Sequence, residues 1–175
     1  ETVYIYEDWN GIPIAEKVRF QPKSFRWRMP SSRTFGINGT VLPLFRLPDL
    51  VDARRIVVNE GEKAALRLAA LEIAATSPPN GASTWRDAWS EQLWSAGAVE
   101  VVLIADHDRP GDLHAERVAA RLSGFCCLPR LPDTAVEPWA SWPSADDDAP
   151  ELAPLRVKVV RLPGLSAGGD VVDYL

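Results

Sequence analysis

The sequence predicts an α/β fold: a parallel sheet flanked by helices, preceded by a small antiparallel β unit. Three observations predict it. Short apolar runs at 56–59, 99–105 and 157–162 alternate with stretches of helical character, the pattern of strands joined by helical crossovers. The first forty residues are instead rich in β-branched and aromatic types around the turn signal Asn10-Gly11. Two of the apolar runs end in acids, Glu60 after the first and Asp106 and Asp108 after the second.

The elements follow in order. Residues 2–8 and 12–20 pair across Asn10-Gly11, and the alternation Phe25-Arg26-Trp27-Arg28 makes a third strand. Residues 30–38 are loop. A short helix spans 47–53, with Pro48 in its first turn. The strand at 56–59 turns at Gly61 into a helix over 62–75, whose Ala65, Leu68, Ala69 and Ile73 share one face. Thr84 caps a helix over 85–94. The strand at 99–105 leads to a helix over 112–122, and 125–131 is a further strand. Residues 132–154 have no periodicity and read as a loop-like insert. The last strand, 157–162, precedes a short helix over 171–175. The division expected is a basic β-rich unit at 1–46 and an α/β unit at 47–175.

Composition narrows the function. At 175 residues, with 46% hydrophobic and 25% charged, the chain suits one compact globular body. No apolar run approaches the ~20 residues of a membrane span, so no membrane partner is expected. Cys126 and Cys127 are adjacent and have no other cysteine to pair with, which fits a reducing compartment such as the cytoplasm. Two Cys and two His do not make a structural zinc site. The chain opens on Glu1 and its only methionine is Met29, so a piece of a longer protein is expected. The net charge of −5 is unevenly spread. Lys17, Arg19, Lys23, Arg26, Arg28 and Arg33 crowd one stretch, whereas Asp133, Glu137, Asp146, Asp147, Asp148 and Glu151 crowd the insert. Setting those six aside leaves fewer acids than the chain's 19 bases. A polyanionic partner is therefore compatible with the acidic total.

The acids carry the chemistry. Ligands of open parallel sheets gather at the carboxyl ends of the strands, where Glu60, Asp106 and Asp108 fall. An extended backbone would point Asp106 and Asp108 the same way. Hard cations such as Mg²⁺ take such oxygens together with substrate phosphate, and Glu60 could be a third ligand or a general base. Plainer readings stand beside these: a loop start for the Asp-x-Asp, helix caps for Asp112 and Asp170, a solvated loop residue for His107, and an exposed first-turn residue for Lys63. In the basic stretch, cations interleave with Phe20, Phe25 and Trp27. That pattern is either a ridge for single-stranded nucleic acid or a twisted hairpin with its rings inward and its charges solvated.

Residues 57–65, Val-Val-Asn-Glu-Gly-Glu-Lys-Ala-Ala, and 103–111, Leu-Ile-Ala-Asp-His-Asp-Arg-Pro-Gly, resemble the paired motifs of the TOPRIM domain. With the terminal Gly-Asp-Val-Val-Asp-Tyr-Leu at 169–175, the wording is similar to primases and primase-helicases of phages and mobile elements. The resemblance covers about residues 50–175 and implies a Rossmann-like TOPRIM sheet. It implies that Glu60, Asp106 and Asp108 are catalytic and, with Asp112, hold Mg²⁺ or Mn²⁺. Lys63 and Arg109 become candidates for triphosphate contact, and Gly81 becomes the candidate for the family's loop glycine. Lys17, Arg19, Lys23, Arg26, Trp27 and Arg28 become candidates for nucleic-acid binding. The implied partners are a single-stranded DNA template, NTPs and a helicase. The implied activity is synthesis of RNA primers, weak in this piece alone, because such primases also use a zinc module. A TOPRIM nuclease, a non-catalytic nucleic-acid-binding module and a nucleotide-sugar-binding Asp-x-Asp are the alternatives. A topoisomerase would need a tyrosine-bearing partner domain.

Overall fold

A computed structural model describes residues 1–81, 85–124, 126–127, 153–167 and 169–175. The chain begins with β1 (Thr2–Glu7), β2 (Pro13–Phe20) and β3 (Ser24–Arg28), an antiparallel meander in the order β1-β2-β3. The first turn is wider than a two-residue hairpin. Asp8 folds it, its carboxylate accepting the Asn10 and Ile12 amides at 2.8 and 2.9 Å, and Gly11 supplies a φ of 75°. After a loop, the predicted helix at 47–53 is a single 3-10 turn, Leu47–Leu50.

The second unit alternates strand and helix as expected. Its elements are β4 (Arg55–Val58), α1 (Glu62–Ala69), β5 (Ala75–Thr76), α2 (Asp87–Ser95), β6 (Glu100–Ile104) and α3 (Arg109–Leu122). Then come β7 (Cys126–Cys127), β8 (Ala153–Pro154), β9 (Arg156–Val160) and α4 (Val171–Tyr174). The main sheet is wholly parallel in the order β5-β4-β6-β9, and β7 pairs antiparallel with β8. Two predicted boundaries change. The helix expected over 62–75 stops at Ala69, Glu72 turns into the left-handed region at φ 60°, and the chain re-enters the sheet as β5. The helix expected from Asp112 begins at Arg109, because Asp108 caps it. Thr84, the acidic insert up to residue 152 and most of the 125–131 strand lie outside the described residues.

Both faces of the parallel sheet are covered, which is why its strands read as nearly continuous apolar runs. Ile56, Val58, Val101 and Leu103 face α2 and α3 in one core. Val57 alternates to the other face, where it joins Ala64, Ala65 and Leu68 of α1, Ala75 of β5 and Val171 of α4. Tyr4, Tyr6 and Ala15 from the antiparallel sheet belong to that same second core. The two units are thus fused through α1. Among the described residues no helix is long and apolar enough to cross a membrane.

Candidate active site

Strands β4 and β6 run parallel with Val58 opposite Leu103, so the residues after them emerge side by side. Glu60 leaves β4 two residues beyond that pair, and Asp106 leaves β6. The Asp106 amide donates to Glu60 Oε1 at 3.2 Å, which brings the two acidic segments together across the strand gap. Beyond Asp106 the chain is not extended. The Asp108 N–H donates to the Asp106 carbonyl at 2.7 Å, a γ-turn centred on His107. Asp108 then caps α3, its Oδ1 accepting the Gly111 amide at 2.7 Å. The expectation of two aspartates aligned along a strand is corrected: one ends β6 and the other starts α3.

Gly111 makes this proximity possible. A Cβ there would lie 2.6 Å from the Asp106 carbonyl oxygen and 2.7 Å from Glu60 Oε1. Gly81, with φ 66°, packs by the Glu60 carbonyl, where a Cβ would come within 3.7 Å.

Crowding of acids raises their proton affinity. Asp106 is pushed up to about 7, first by burial and then by the charges of Glu60, Asp170 and Asp108, while Lys23 pulls the other way. Burial also raises Glu60, opposed by the Asp106 amide and reinforced by Asp108. Asp170, expected to cap a helix, does so with a full capping box on α4. Its charge nevertheless acts on Asp106. Sequence reasoning missed that second role, since a Gly-Asp before a helix signals only a cap.

The remaining predicted residues divide. The Asp112 carboxylate neither caps α3 nor bonds to Glu60, Asp106 or Asp108; it accepts from Arg161 Nε at 2.7 Å. Lys63 and Arg109 are exposed in the first turns of α1 and α3. Lys17 is 8% exposed, and its Nζ is held by Glu62 Oε1 at 2.6 Å and the Pro79 carbonyl at 2.8 Å, so it is no surface cation. Trp27 packs edge-on to the Tyr6 ring at 5.0 Å, and Arg28 pairs with Glu16 at 2.5 Å. Arg19 is half-buried. Lys23 and Arg26 remain exposed. The Arg26 guanidinium lies 5.3 Å from the centre of the exposed Phe35 ring. The two readings of the basic stretch therefore each hold for part of it.

No family profile and no curated protein matches the chain. Solved structures do. A DNA primase domain from Pseudomonas aeruginosa aligns over 99% of this chain and 45% of its own, at 21% identity and a TM-score of 0.60. The DnaG catalytic core aligns over 98% and 46%, at 17% identity and a TM-score of 0.59. The primase fragment of the bacteriophage T7 primase-helicase protein aligns over 95% and 55%, at 20% identity and a TM-score of 0.54. The chain has the fold of DnaG-type primase domains. The TOPRIM-type sheet and the antiparallel unit before it both fall within that likeness, and the chain spans about half the length of these structures.

A primase fold of this type carries a divalent-metal expectation, and the donors here fit it. They are carboxylate oxygens, the choice of hard cations, which need only one or two of them besides water and phosphate. Mutual repulsion among Glu60, Asp106, Asp108 and Asp170 is what a cation would relieve. Among the described residues no three His, Cys, Asp or Glu side chains come together closely enough to hold a metal ion between them, so Glu60, Asp106 and Asp108 do not form the three-acid grip the sequence suggests. The arrangement accordingly suits an ion shared with substrate, not one enclosed by protein.

Proposed function

We propose that this chain is the catalytic portion of a DNA primase, joining ribonucleotides into primers on a single-stranded DNA template. The observation that carries the reading is the meeting of Glu60 and Asp106 at neighbouring strand ends, within the electrostatic reach of Lys23 in the β2–β3 turn. The primase fold supports it. Glu60 and Asp106 would meet Mg²⁺ or Mn²⁺ first, and Asp108, now capping α3, would have to turn from that cap to join them. When bound, the cation neutralises phosphate charge and orients the attacking oxygen.

The chain's own groups supply the rest. The Asp106 amide fixes the Glu60 carboxylate, and the Asp106 carboxyl can hold a proton near neutral pH. Lys63 and Arg109 stand at helix N-termini, where backbone amides also favour anions, and would grip the triphosphate of an incoming NTP. Lys23 and Arg26 would follow the template backbone, with Phe35 available for stacking on a base. The reaction is attack of a 3′ hydroxyl on an α-phosphate, with pyrophosphate leaving. A helicase partner, a cytoplasmic setting and a phage or mobile-element source belong to the same proposal.

The test is incubation with a labelled single-stranded DNA oligonucleotide, NTPs and Mn²⁺. RNA products that vanish in Asp106→Asn support the primase. Shortened DNA without RNA products makes the protein a nuclease. DNA binding that ignores both metal and Glu60→Gln, with neither product, makes it a non-catalytic binding module.

A further inference from the structure

His107 stands between two acids of the site, and the proposed reaction does not use it. It is exposed, yet it is tied twice to the segment that leads into α4. Its backbone N–H donates to the Gly169 carbonyl at 2.9 Å. Its ring Nδ1 lies 2.8 Å from the Leu165 carbonyl oxygen. A carbonyl only accepts, so Nδ1 carries a proton in this contact. One residue thus grips two carbonyls four positions apart.

Both ends of this brace are stiff. On one side, the γ-turn at His107 and the cap of α3 fix the acid loop. On the other, the Gly169 N–H donates to the Ser166 carbonyl at 2.9 Å, and a Cβ on Gly169 would lie 3.0 Å from that oxygen and 3.1 Å from Leu165 Cβ. The residue after Gly169 is Asp170. Helix α4 is a single turn of four residues whose capping box fixes the Asp170 carboxylate to the helix itself, so where this short helix sits decides where Asp170 stands.

We propose that His107 is a positioning residue: by pinning Leu165 and Gly169 against the acid loop, it sets Asp170 beside Asp106. The role in metal binding rests on the reading of the site given above; the brace itself does not. A histidine at this place then adds a fourth carboxylate to the cluster without touching the reacting atoms. Losing the ring bond removes the tie at Leu165 and leaves Gly169 held by the His107 amide alone on this side.

The test uses the whole chain and Mn²⁺ alone, with affinity read by electron paramagnetic resonance. His107→Ala should weaken Mn²⁺ binding about fivefold, the size of one hydrogen bond. His107→Asn, whose amide can still donate to Leu165, should recover at least half of that loss. In an Asp170→Asn background, His107→Ala should change nothing further. Amide exchange at Gly169, Asp170 and Val171 should rise in His107→Ala at an unchanged melting temperature. Equal Mn²⁺ losses in both backgrounds, or unaltered exchange at those amides, overturn the proposal. If the wild-type chain takes up no Mn²⁺, the metal-site reading fails by itself, and the exchange measurement still decides whether His107 holds Asp170.

Discussion

Lys17 and Glu62 lie 45 positions apart in the chain and 2.6 Å apart in the fold, Nζ to Oε1, both nearly excluded from solvent. Tyr6 donates its hydroxyl to the same Glu62 oxygen at 2.6 Å, and the Pro79 carbonyl takes another Lys17 proton. The pair rivets the antiparallel sheet to the start of α1, two residues from Glu60. Removing one partner strands the other as a buried charge. Lys17→Met should therefore cost about 3–5 kcal/mol, measured by urea unfolding. The double variant Lys17→Met/Glu62→Gln should recover much of this, because no lone charge remains.

Gly111 lies in the first turn of α3, where alanine would ordinarily be the better helix former by ~1 kcal/mol. Here the sign reverses. The added methyl would sit 2.7 Å from Glu60 Oε1 and 2.6 Å from the Asp106 carbonyl oxygen. Gly111→Ala should destabilise by about 1–3 kcal/mol and weaken Mn²⁺ binding, since the Glu60 carboxylate must swing away. Calorimetry with and without Mn²⁺ reads both effects.

The Asp106 carboxyl is raised to about 7 from an ordinary value of 3.8. Between those values the folded protein keeps a proton there that the unfolded chain has released. Its contribution to stability therefore falls as pH rises through that window and is smallest above 7. Asp106→Asn should raise the melting temperature of the metal-free protein at pH 8 relative to wild type, with a smaller difference at pH 5. Mn²⁺ competes with the same proton, so wild-type affinity should tighten as pH climbs towards 7 and level off above it. Thermal scans and Mn²⁺ titrations at both pH values check the two statements.

The exposed cations should bind nucleic acid independently of the metal. Lys23→Ala and Arg26→Ala should each weaken binding of a single-stranded oligonucleotide and reduce the salt slope of log K by about 0.7. Fluorescence anisotropy across a salt series measures this. Phe35→Ala should weaken binding and leave that slope unchanged, because a stacking ring releases no counterion.

Much of the architecture was legible from short-range pattern. The strands around Ile56, Val101 and Val157 could be read because burial on both faces leaves uninterrupted apolar runs. Glu60 and Asp106 could be placed because a strand end fixes where the next residue emerges. What escaped reading was set at long range or by backbone conformation. Ile73 continued the helical spacing of Leu68 and Ala69, and nothing in Glu72 announces a left-handed turn, so β5 was hidden. Lys17 sits in a stretch of alternating bases and rings, and its partner is 45 positions downstream. Asp112 looked like the cap because the Pro-Gly before it resembled loop, whereas Pro110 occupies the first turn of α3 and leaves Asp108 outside it. Asp170 meets the acids only once β6 and the end of the chain have been brought together.

The core shared between Tyr4, Tyr6, Val57, Ala65 and Leu68 bears on how such a protein can be rearranged. Its leading sheet is not a detachable cassette. A chimera that replaced residues 1–46 would leave α1 with an apolar flank of the wrong shape and Glu62 with no ammonium to meet. A viable transplant would have to carry the facing surface of α1 with it, so the two halves are constrained to vary as a unit.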